Sequence, residues 1–290
     1  QLETILSDGA KKDEAEGASA VILDQKTGAI KAMANYPSYD VQQYQKVEDA
    51  ALFNNAAVSK PIEVGSIMKS LTTAAALDQR VINKNTTYYD PSFWEIDKFR
   101  ITNIEEDGGA GTRNIDDILN LSLNTGATWE LMQMGGGQIN TKARNTWYDY
   151  MVNHYRLGKE TGIEQGYEAS GYVPKPAENG AGIDLTYANT SFGQAMTATP
   201  VQMASAMAAV LNGGTYYQPH LVDALIAADG KQTKLNPKVV ANDVVSPNVS
   251  EDMVPLLEYV VEQHDIQPKF DQSRYSVGGK TGTAQIAKPG

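Results

Sequence analysis

Extended segments stand at both ends of this sequence, with mostly helical sequence between them. Near the N terminus, residues 18–24 and 29–34 have the composition of strands, and Gly28 ends the short turn between them. A second β-like run leads from Tyr275 into Lys280. Strands at opposite ends of a chain are expected to share one sheet that buries a face against helices. The predicted fold is therefore α/β, an antiparallel sheet flanked by helices with a largely helical inserted subdomain.

The interior of the chain has helical periodicity interrupted by glycine-rich breaks. Residues 53–214 are predicted to be mostly helical, and Ser250 is predicted to cap a later helix that runs to Val261. We predict one domain over residues 1–290, with an α/β subdomain from about residues 1–55 and 250–290 and a mostly helical subdomain over about residues 56–249. The clearest helices are predicted over residues 67–77, 115–134, 141–157 and 200–211.

The composition excludes several kinds of site and partner. The chain has no cysteine, so disulfides, thiolate metal sites and a cysteine nucleophile are excluded. Its net charge of -11 argues against nucleic acid as a partner, since that binding needs clustered Lys and Arg. The histidines are scattered and lack metal-ligand spacing. We therefore predict no metal and no cofactor, and chemistry carried by oxygen and nitrogen groups.

A serine and a lysine three residues apart form the first candidate for catalysis. Ser66 and Lys69 stand at the start of a predicted helix, where this spacing places both side chains on one face. A serine hydroxyl needs a base to take its proton, and a lysine in a desolvated cleft can be that base. The helix N terminus would also direct N–H groups at a developing oxyanion. The competing interpretation is a helix-capping serine followed by a solvated lysine.

Two further short motifs follow in the chain, Ser122-Leu123-Asn124 and Lys280-Thr281-Gly282-Thr283. Each motif is weak alone, because the chain contains a second copy of each pattern. The second copies, Lys26-Thr27-Gly28 and Ser246-Pro247-Asn248, are more simply explained as turns. The functional copies are therefore chosen by their order along the chain, which is Ser-x-x-Lys, then Ser-x-Asn, then Lys-Thr-Gly.

In this order the motifs resemble those of penicillin-binding proteins and their serine β-lactamase relatives. The resemblance covers nearly the whole chain: residues 21–40 look like the family's opening hairpin, and residues 191–195, 199–203 and 212–214 look like its late helical region. The sequence around Lys280 is similar to the monofunctional, class B branch. The resemblance implies a penicillin-binding protein or serine β-lactamase-like fold, with residues 1–290 as a transpeptidase domain.

The resemblance also implies an activity and a role for each catalytic residue. The expected enzyme is a peptidoglycan D,D-transpeptidase that cross-links stem peptides through an acyl-enzyme at Ser66 and is inhibited when β-lactams acylate the same serine. Lys69 is the expected base, Ser122 the relay of protons to the leaving amine, and Asn124 the residue that holds the substrate backbone. Lys280 is expected to supply positive charge beside them.

The residues after Lys280 are expected to bind the substrate as an edge strand, along which a peptide adds by β-augmentation. Thr281 and Thr283 would offer hydroxyls to a terminal carboxylate, and Gly282 would let ligand and backbone approach closely. The N–H groups of Thr283 and Ser66 would form the oxyanion hole.

Partners and location follow from the same resemblance. The expected partners are peptidoglycan stem peptides, β-lactam antibiotics and a membrane glycosyltransferase of the wall-synthesis machinery. The expected location is the extracytoplasmic face of the bacterial cell membrane, with an N-terminal anchoring segment absent from this sequence. The alternatives are a serine β-lactamase and a non-catalytic sensor of β-lactams or peptidoglycan. A class A Glu-x-x-Leu-Asn pattern is not found, and Ser-x-Asn differs from the class D motif.

Overall fold

The computed structural model describes residues 1–103, 109–176, 182–264, 271 and 273–284. Helices and strands alternate irregularly, and most strands are short. The helices are α1 Leu2–Lys12, α2 Ala56–Ser59, α3 Met68–Asp78, α4 Ile115–Asn120, α5 Asn124–Met134, α6 Thr141–Asp149, α7 Ile183–Ser191, α8 Pro200–Leu211 and α9 Pro247–Gln263. The strands are β1 Ala18–Leu23, β2 Ile30–Tyr36, β3 Ile62–Glu63, β4 Thr87–Asp90, β5 Phe93–Ile96, β6 Phe99–Thr102, β7 Gly111–Asn114, β8 Thr197–Ala198, β9 Tyr216–Tyr217, β10 Ala224–Ile226, β11 Gln232–Lys234 and β12 Val239–Ala241.

The predicted N-terminal hairpin is present. Strands β1 and β2 pair antiparallel from Ala18 opposite Tyr36 to Leu23 opposite Ile30. The turn between them is held by Asp24, whose carbonyl accepts from Gly28 N at 2.8 Å. Helix α1 lies against β2 and α8 lies against β1, so helices flank the paired strands. The mixed α/β class with antiparallel strands and flanking helices is confirmed.

Helix α3 runs through the centre of the hydrophobic core. Leu71, Ala74, Ala75 and Ala76 on this helix have no exposed surface, and α3 packs against α5, α7, α8 and α9. Its small alanine side chains let these neighbours approach closely, while larger apolar residues fill the space between helices. A helix buried on nearly every side has little freedom to move, and α3 is the helix that carries Lys69.

The middle of the chain contains strands where the sequence analysis expected mainly helix. Strands β4 and β7 pair antiparallel, and β5 and β6 form a hairpin. The residues in these strands include Tyr88, Tyr89, Phe93 and Trp94, which are aromatic and favour extended backbone. Their alternating burial along β4 is typical of a strand with one face in the core. The prediction of mostly helical sequence was wrong over these residues.

Three predicted helices differ from the structure by more than one residue. The helix expected over residues 141–157 is α6, which ends at Asp149 and is followed by a π-helical turn, Tyr150–His154. The helix expected over residues 115–134 is two helices, α4 and α5, separated by a turn at Ser122. The helix expected to begin at Ser250 begins at Pro247 with Ser246 as its N-cap, because proline is well suited to the first helical position. Ser250 lies inside this helix, and its hydroxyl accepts from Gly213 N and donates to Val210 O.

The C-terminal segment 273–284 forms no strand within the described residues, so the expected edge strand was wrong. A strand requires a neighbouring strand with which to exchange backbone hydrogen bonds. The neighbour of this segment is instead a helix: Gly279 N donates to Leu257 O of α9 at 3.0 Å. Helix α9 thereby fixes where Lys280 enters the site. The boundary between the two predicted subdomains stays a prediction.

No helix among the described residues is long and apolar enough to cross a lipid bilayer.

Candidate active site

Ser66 and Lys69 are in direct contact at the start of α3. Ser66 lies in a 3-10 turn, Gly65–Ile67, that leads into the helix, and Lys69 lies in the first helical turn. The Lys69 Nζ atom is 2.9 Å from Ser66 Oγ, with Ser66 6% exposed and Lys69 fully buried. Ser66 caps neither helical segment. The interpretation as a capping serine with a solvated lysine is therefore wrong, since the lysine is buried and bonded to the serine.

Ser122 joins this pair from the turn between α4 and α5. Lys69 Nζ donates to the Ser122 carbonyl oxygen at 2.5 Å and to Ser122 Oγ at 3.0 Å. Ser122 has a φ of 56°, in the left-handed region that residues with a Cβ rarely adopt. A strained backbone that aims a hydroxyl at a buried lysine is the kind of strain that functional sites contain.

Lys280 reaches the same hydroxyl from the C-terminal segment. Its Nζ is 3.0 Å from Ser122 Oγ and 3.2 Å from the Thr281 carbonyl oxygen. The Ser122 hydroxyl thus lies between two lysines, and its two lone pairs allow it to accept from both. The structure brings Ser66, Lys69, Ser122 and Lys280 into one connected group.

Asn124 lies next to this group, at the start of α5, and is 7% exposed. Its side-chain Nδ2 donates to the Thr102 carbonyl oxygen at 2.9 Å, which connects the motif to β6. A buried polar network stands behind it: Thr125 Oγ1 donates to Asp90 Oδ2 at 2.6 Å, and Asn103 Oδ1 accepts from Thr125 N at 3.1 Å. The β5–β6 hairpin therefore holds this turn in place, a role that the sequence analysis missed.

Thr281, Gly282 and Thr283 form an exposed strip beside the nucleophile. A Cβ built on Gly65 would lie 2.6 Å from the Thr283 carbonyl oxygen and 3.2 Å from its nitrogen. A Cβ on Gly282 would lie 2.9 Å from Ile67 Cγ1. The backbone of this strip therefore passes directly over the turn that carries Ser66, which places the Thr283 amide near the Ser66 amide.

Gly193 packs against the turn Gly65–Ile67, which carries the nucleophile, and sequence reasoning assigned it no role. Gly65 has a φ of 63°, and its N–H donates to the Gly193 carbonyl oxygen at 2.9 Å. A Cβ on Gly193, whose φ is 85°, would lie 2.0 Å from the Gly65 carbonyl oxygen. Gly193 lies in the segment 191–195, which carried part of the family resemblance. The resemblance could therefore have drawn attention to Gly193, although it gave this residue no role.

The second copies of the motifs lie elsewhere in the fold. Lys26 is exposed in the β1–β2 turn, where its N–H donates to Asp24 Oδ1 at 2.9 Å. Ser246 is the N-cap of α9. Neither belongs to the group around Ser122. Among the described residues there is no group of three or more His, Asp or Glu side chains that could hold a metal ion.

Comparison with known proteins identifies the family. The family model described as the penicillin-binding protein transpeptidase domain matches residues 18–290. The chain belongs to the penicillin-binding protein transpeptidase family. The predicted membership is confirmed, and the relatives support its placement in the class B branch.

Relatives of this penicillin-binding protein domain include stage V sporulation protein D of Bacillus subtilis, which is 31% identical over all of this chain and 43% of its own length. Penicillin-binding protein PbpB of Mycobacterium tuberculosis is 30% identical over 95% of this chain and 40% of its own length. The chain thus spans less than half the length of these relatives.

A solved structure of penicillin-binding protein 3 from Mycobacterium tuberculosis, complexed with aztreonam, superposes with a TM-score of 0.82 at 27% identity. The match covers 99% of this chain and 62% of that one.

Proposed function

We propose that this penicillin-binding protein domain is a serine-type D-Ala-D-Ala transpeptidase that cross-links peptidoglycan stem peptides through an acyl-enzyme at Ser66. The observation that carries the proposal is the 2.9 Å contact between Ser66 Oγ and the fully buried Lys69 Nζ. Burial disfavours the charged form of a lysine, and a neutral amine at this distance can accept the hydroxyl proton.

In the acylation step, Lys69 takes the proton from Ser66 Oγ as the oxygen attacks the carbonyl carbon of the substrate. The tetrahedral oxyanion is stabilised by the N–H groups of Ser66 and Thr283. When the C–N bond breaks, the Ser122 hydroxyl gives its proton to the leaving amine and regains one from Lys69. The amine of a second stem peptide then attacks the ester, loses a proton along the same path, and releases Ser66.

The substrate-binding roles follow from where each group lies. The exposed strip of Thr281, Gly282 and Thr283 offers hydroxyls and exposed backbone groups to a peptide that lies along it. Lys280 supplies a positive charge near the carboxylate of such a peptide, and the Asn124 amide holds the peptide backbone. The same contacts suit a β-lactam, whose ring amide opens onto Ser66.

The wider setting is also part of the proposal. The partners are stem peptides, β-lactams and a membrane glycosyltransferase of the wall-synthesis machinery, and the location is the extracytoplasmic face of the cell membrane. The resemblance to class B proteins supports these assignments. Co-purification of the full-length protein with membrane glycosyltransferases tests the protein partner, and its absence from such complexes would remove that partner.

Intact-mass measurement after incubation with penicillin tests the activity. A single adduct that persists, together with formation of a cross-linked product from stem-peptide donors and acceptors, supports the transpeptidase. Rapid loss of the adduct with release of opened penicillin would favour the β-lactamase instead. A stable adduct without peptide cross-linking would favour a sensor, and no adduct would refute acyl-enzyme chemistry at Ser66.

A further inference from the structure

A fully buried carboxyl group lies on the core side of the proposed base. Glu130 on α5 has no exposed surface, and the Thr73 hydroxyl lies 2.9 and 3.1 Å from its two carboxyl oxygens. Thr73 follows Lys69 by four residues on α3, so both side chains project from one face of that helix. Glu130 and Lys69 therefore both face the interface between α3 and α5.

No step of the acyl transfer described above uses Glu130. A carboxylate is costly to bury, and it persists in a core when a hydrogen bond or a nearby positive charge compensates it. Burial raises the pKa of Glu130 to about 8, while the hydrogen bond from Thr73 and the charge of Lys69 act in the opposite direction. Glu130 is therefore mainly protonated at neutral pH and ionises within the range in which enzymes are assayed.

Two tyrosines also interact electrostatically with Glu130, and neither changes charge in that range. Burial, with smaller effects from nearby acidic groups that include Glu130, raises the pKa of both Tyr88 on β4 and Tyr155 after α6 well above that of a free phenol. Asp90 is hydrogen-bonded within the network behind Asn124. Arg144 on α6 and Asp184 on α7 pair with each other. Among the groups of the described site, Lys69 is one whose charge acts on the Glu130 carboxyl, so the carboxyl acts on Lys69 in turn.

We propose that Glu130 is a positioning residue of the acylation reaction, a buried proton-holding group whose ionisation favours the protonated form of Lys69 and so lowers the fraction of Lys69 that can act as the base. This inference rests on the proposed function, since it assigns Lys69 the role of base. When Glu130 is protonated it is neutral and leaves the basicity of Lys69 unchanged. When it ionises, the carboxylate stabilises the lysine ammonium, and an ammonium cannot take the proton of Ser66.

The test is the second-order rate of acylation by penicillin from about pH 6 to about pH 10, in the wild-type protein and in Glu130→Gln. The glutamine has the shape of the protonated carboxyl and never ionises. We expect rates within about threefold of each other below about pH 7, where Glu130 is neutral. Above about pH 8 the wild-type rate should rise less steeply, leaving Glu130→Gln about tenfold faster near pH 9.5, as expected for an opposite charge close to a lysine.

Thr73→Val provides a second variant with a different expected result. It removes the hydroxyl that stabilises the Glu130 carboxylate and keeps the side-chain shape, so the carboxyl should hold its proton to higher pH. The pH at which the wild-type rate flattens should therefore move upward, and this result decides the question alone if Glu130→Gln does not fold.

If the wild-type protein and a folded, active Glu130→Gln variant have parallel pH profiles of the acylation rate, this inference is overturned and the proposed function is not. Absence of acylation in the wild-type protein at every pH would overturn the proposed function and this inference with it.

Discussion

Gly193→Ala should disrupt the nucleophile turn without touching any residue that contacts the substrate. The added Cβ would lie 2.0 Å from the Gly65 carbonyl oxygen and 2.6 Å from its nitrogen, both backbone atoms that cannot rotate away. The turn would have to move by more than 1 Å, roughly the shift that restores ordinary van der Waals separation. Since Ser66 follows Gly65 directly, its Oγ and N–H would move with the turn.

Two separate effects should lower the stability of the Gly193→Ala variant. An alanine at a φ of 85° loses about 1 kcal/mol or slightly more through left-handed strain. The overlap with Gly65 adds about 1–3 kcal/mol, as for other overpacked sites. We therefore expect the free energy of unfolding to fall by about 2–4 kcal/mol. Acylation should slow by about 100-fold, because a displacement near 1 Å at a reacting group has that effect.

Gly136→Ala is the matched control. Gly136 has a φ of 78°, and apart from its two chain neighbours no described residue has an atom within 4 Å of a Cβ built there. It should lose about 1 kcal/mol from strain alone and acylate at the wild-type rate. Chemical denaturation and the rate of labelling by a fluorescent penicillin measure the two effects. A Gly193→Ala protein that acylates as fast as Gly136→Ala would refute the claim that Gly193 positions the nucleophile.

Three further predictions concern the site itself. Ser66→Ala should abolish covalent labelling by penicillin, while Lys69→Ala should slow it by about 100-fold or more in a protein that still folds; labelling of Ser66→Ala or an unfolded Lys69→Ala protein would contradict these roles. Ser122→Gly should relieve the left-handed strain, leaving the free energy of unfolding unchanged or up to about 1 kcal/mol higher, yet slow acylation by about 100-fold. If the variant is as stable as the wild-type protein in chemical denaturation and acylates at the same rate, Ser122 does not relay protons. Lys280→Ala should slow acylation by at least about tenfold and Lys26→Ala should not, although both lysines precede Thr-Gly; equal losses in labelling assays would show that the cleft does not distinguish them.

The N-terminal hairpin and the Ser66–Lys69 contact could be predicted because both depend on local rules. Gly28 adopts the positive φ that its turn needs, and a three-residue spacing on a helix brings two side chains together wherever the helix lies. The strands β4 to β7 were missed because no strand was assigned between residues 53 and 214, although the aromatic and β-branched residues of β4, β5 and β6 favour extended backbone. The start of α9 was missed because Pro247 was counted as a turn residue, although proline also begins helices.

The position of the C-terminal segment illustrates what local rules do not contain. Its sequence is extended in character, but whether it pairs with a strand or lies against a helix depends on the neighbour that the fold provides. Here that neighbour is α9, through the hydrogen bond from Gly279 to Leu257.

By itself, the sequence determined the order of the three motifs, the family to which they belong, and the pairing of Ser66 with Lys69. Tertiary structure alone decided that Lys280 meets Ser122 across 158 residues of chain, that Gly193 lies under Gly65, and that Glu130 lies buried beside α3. The physical reason is that close packing is a property of the whole fold. Contacts between distant segments depend on how every intervening helix and turn is packed, and no short pattern records that.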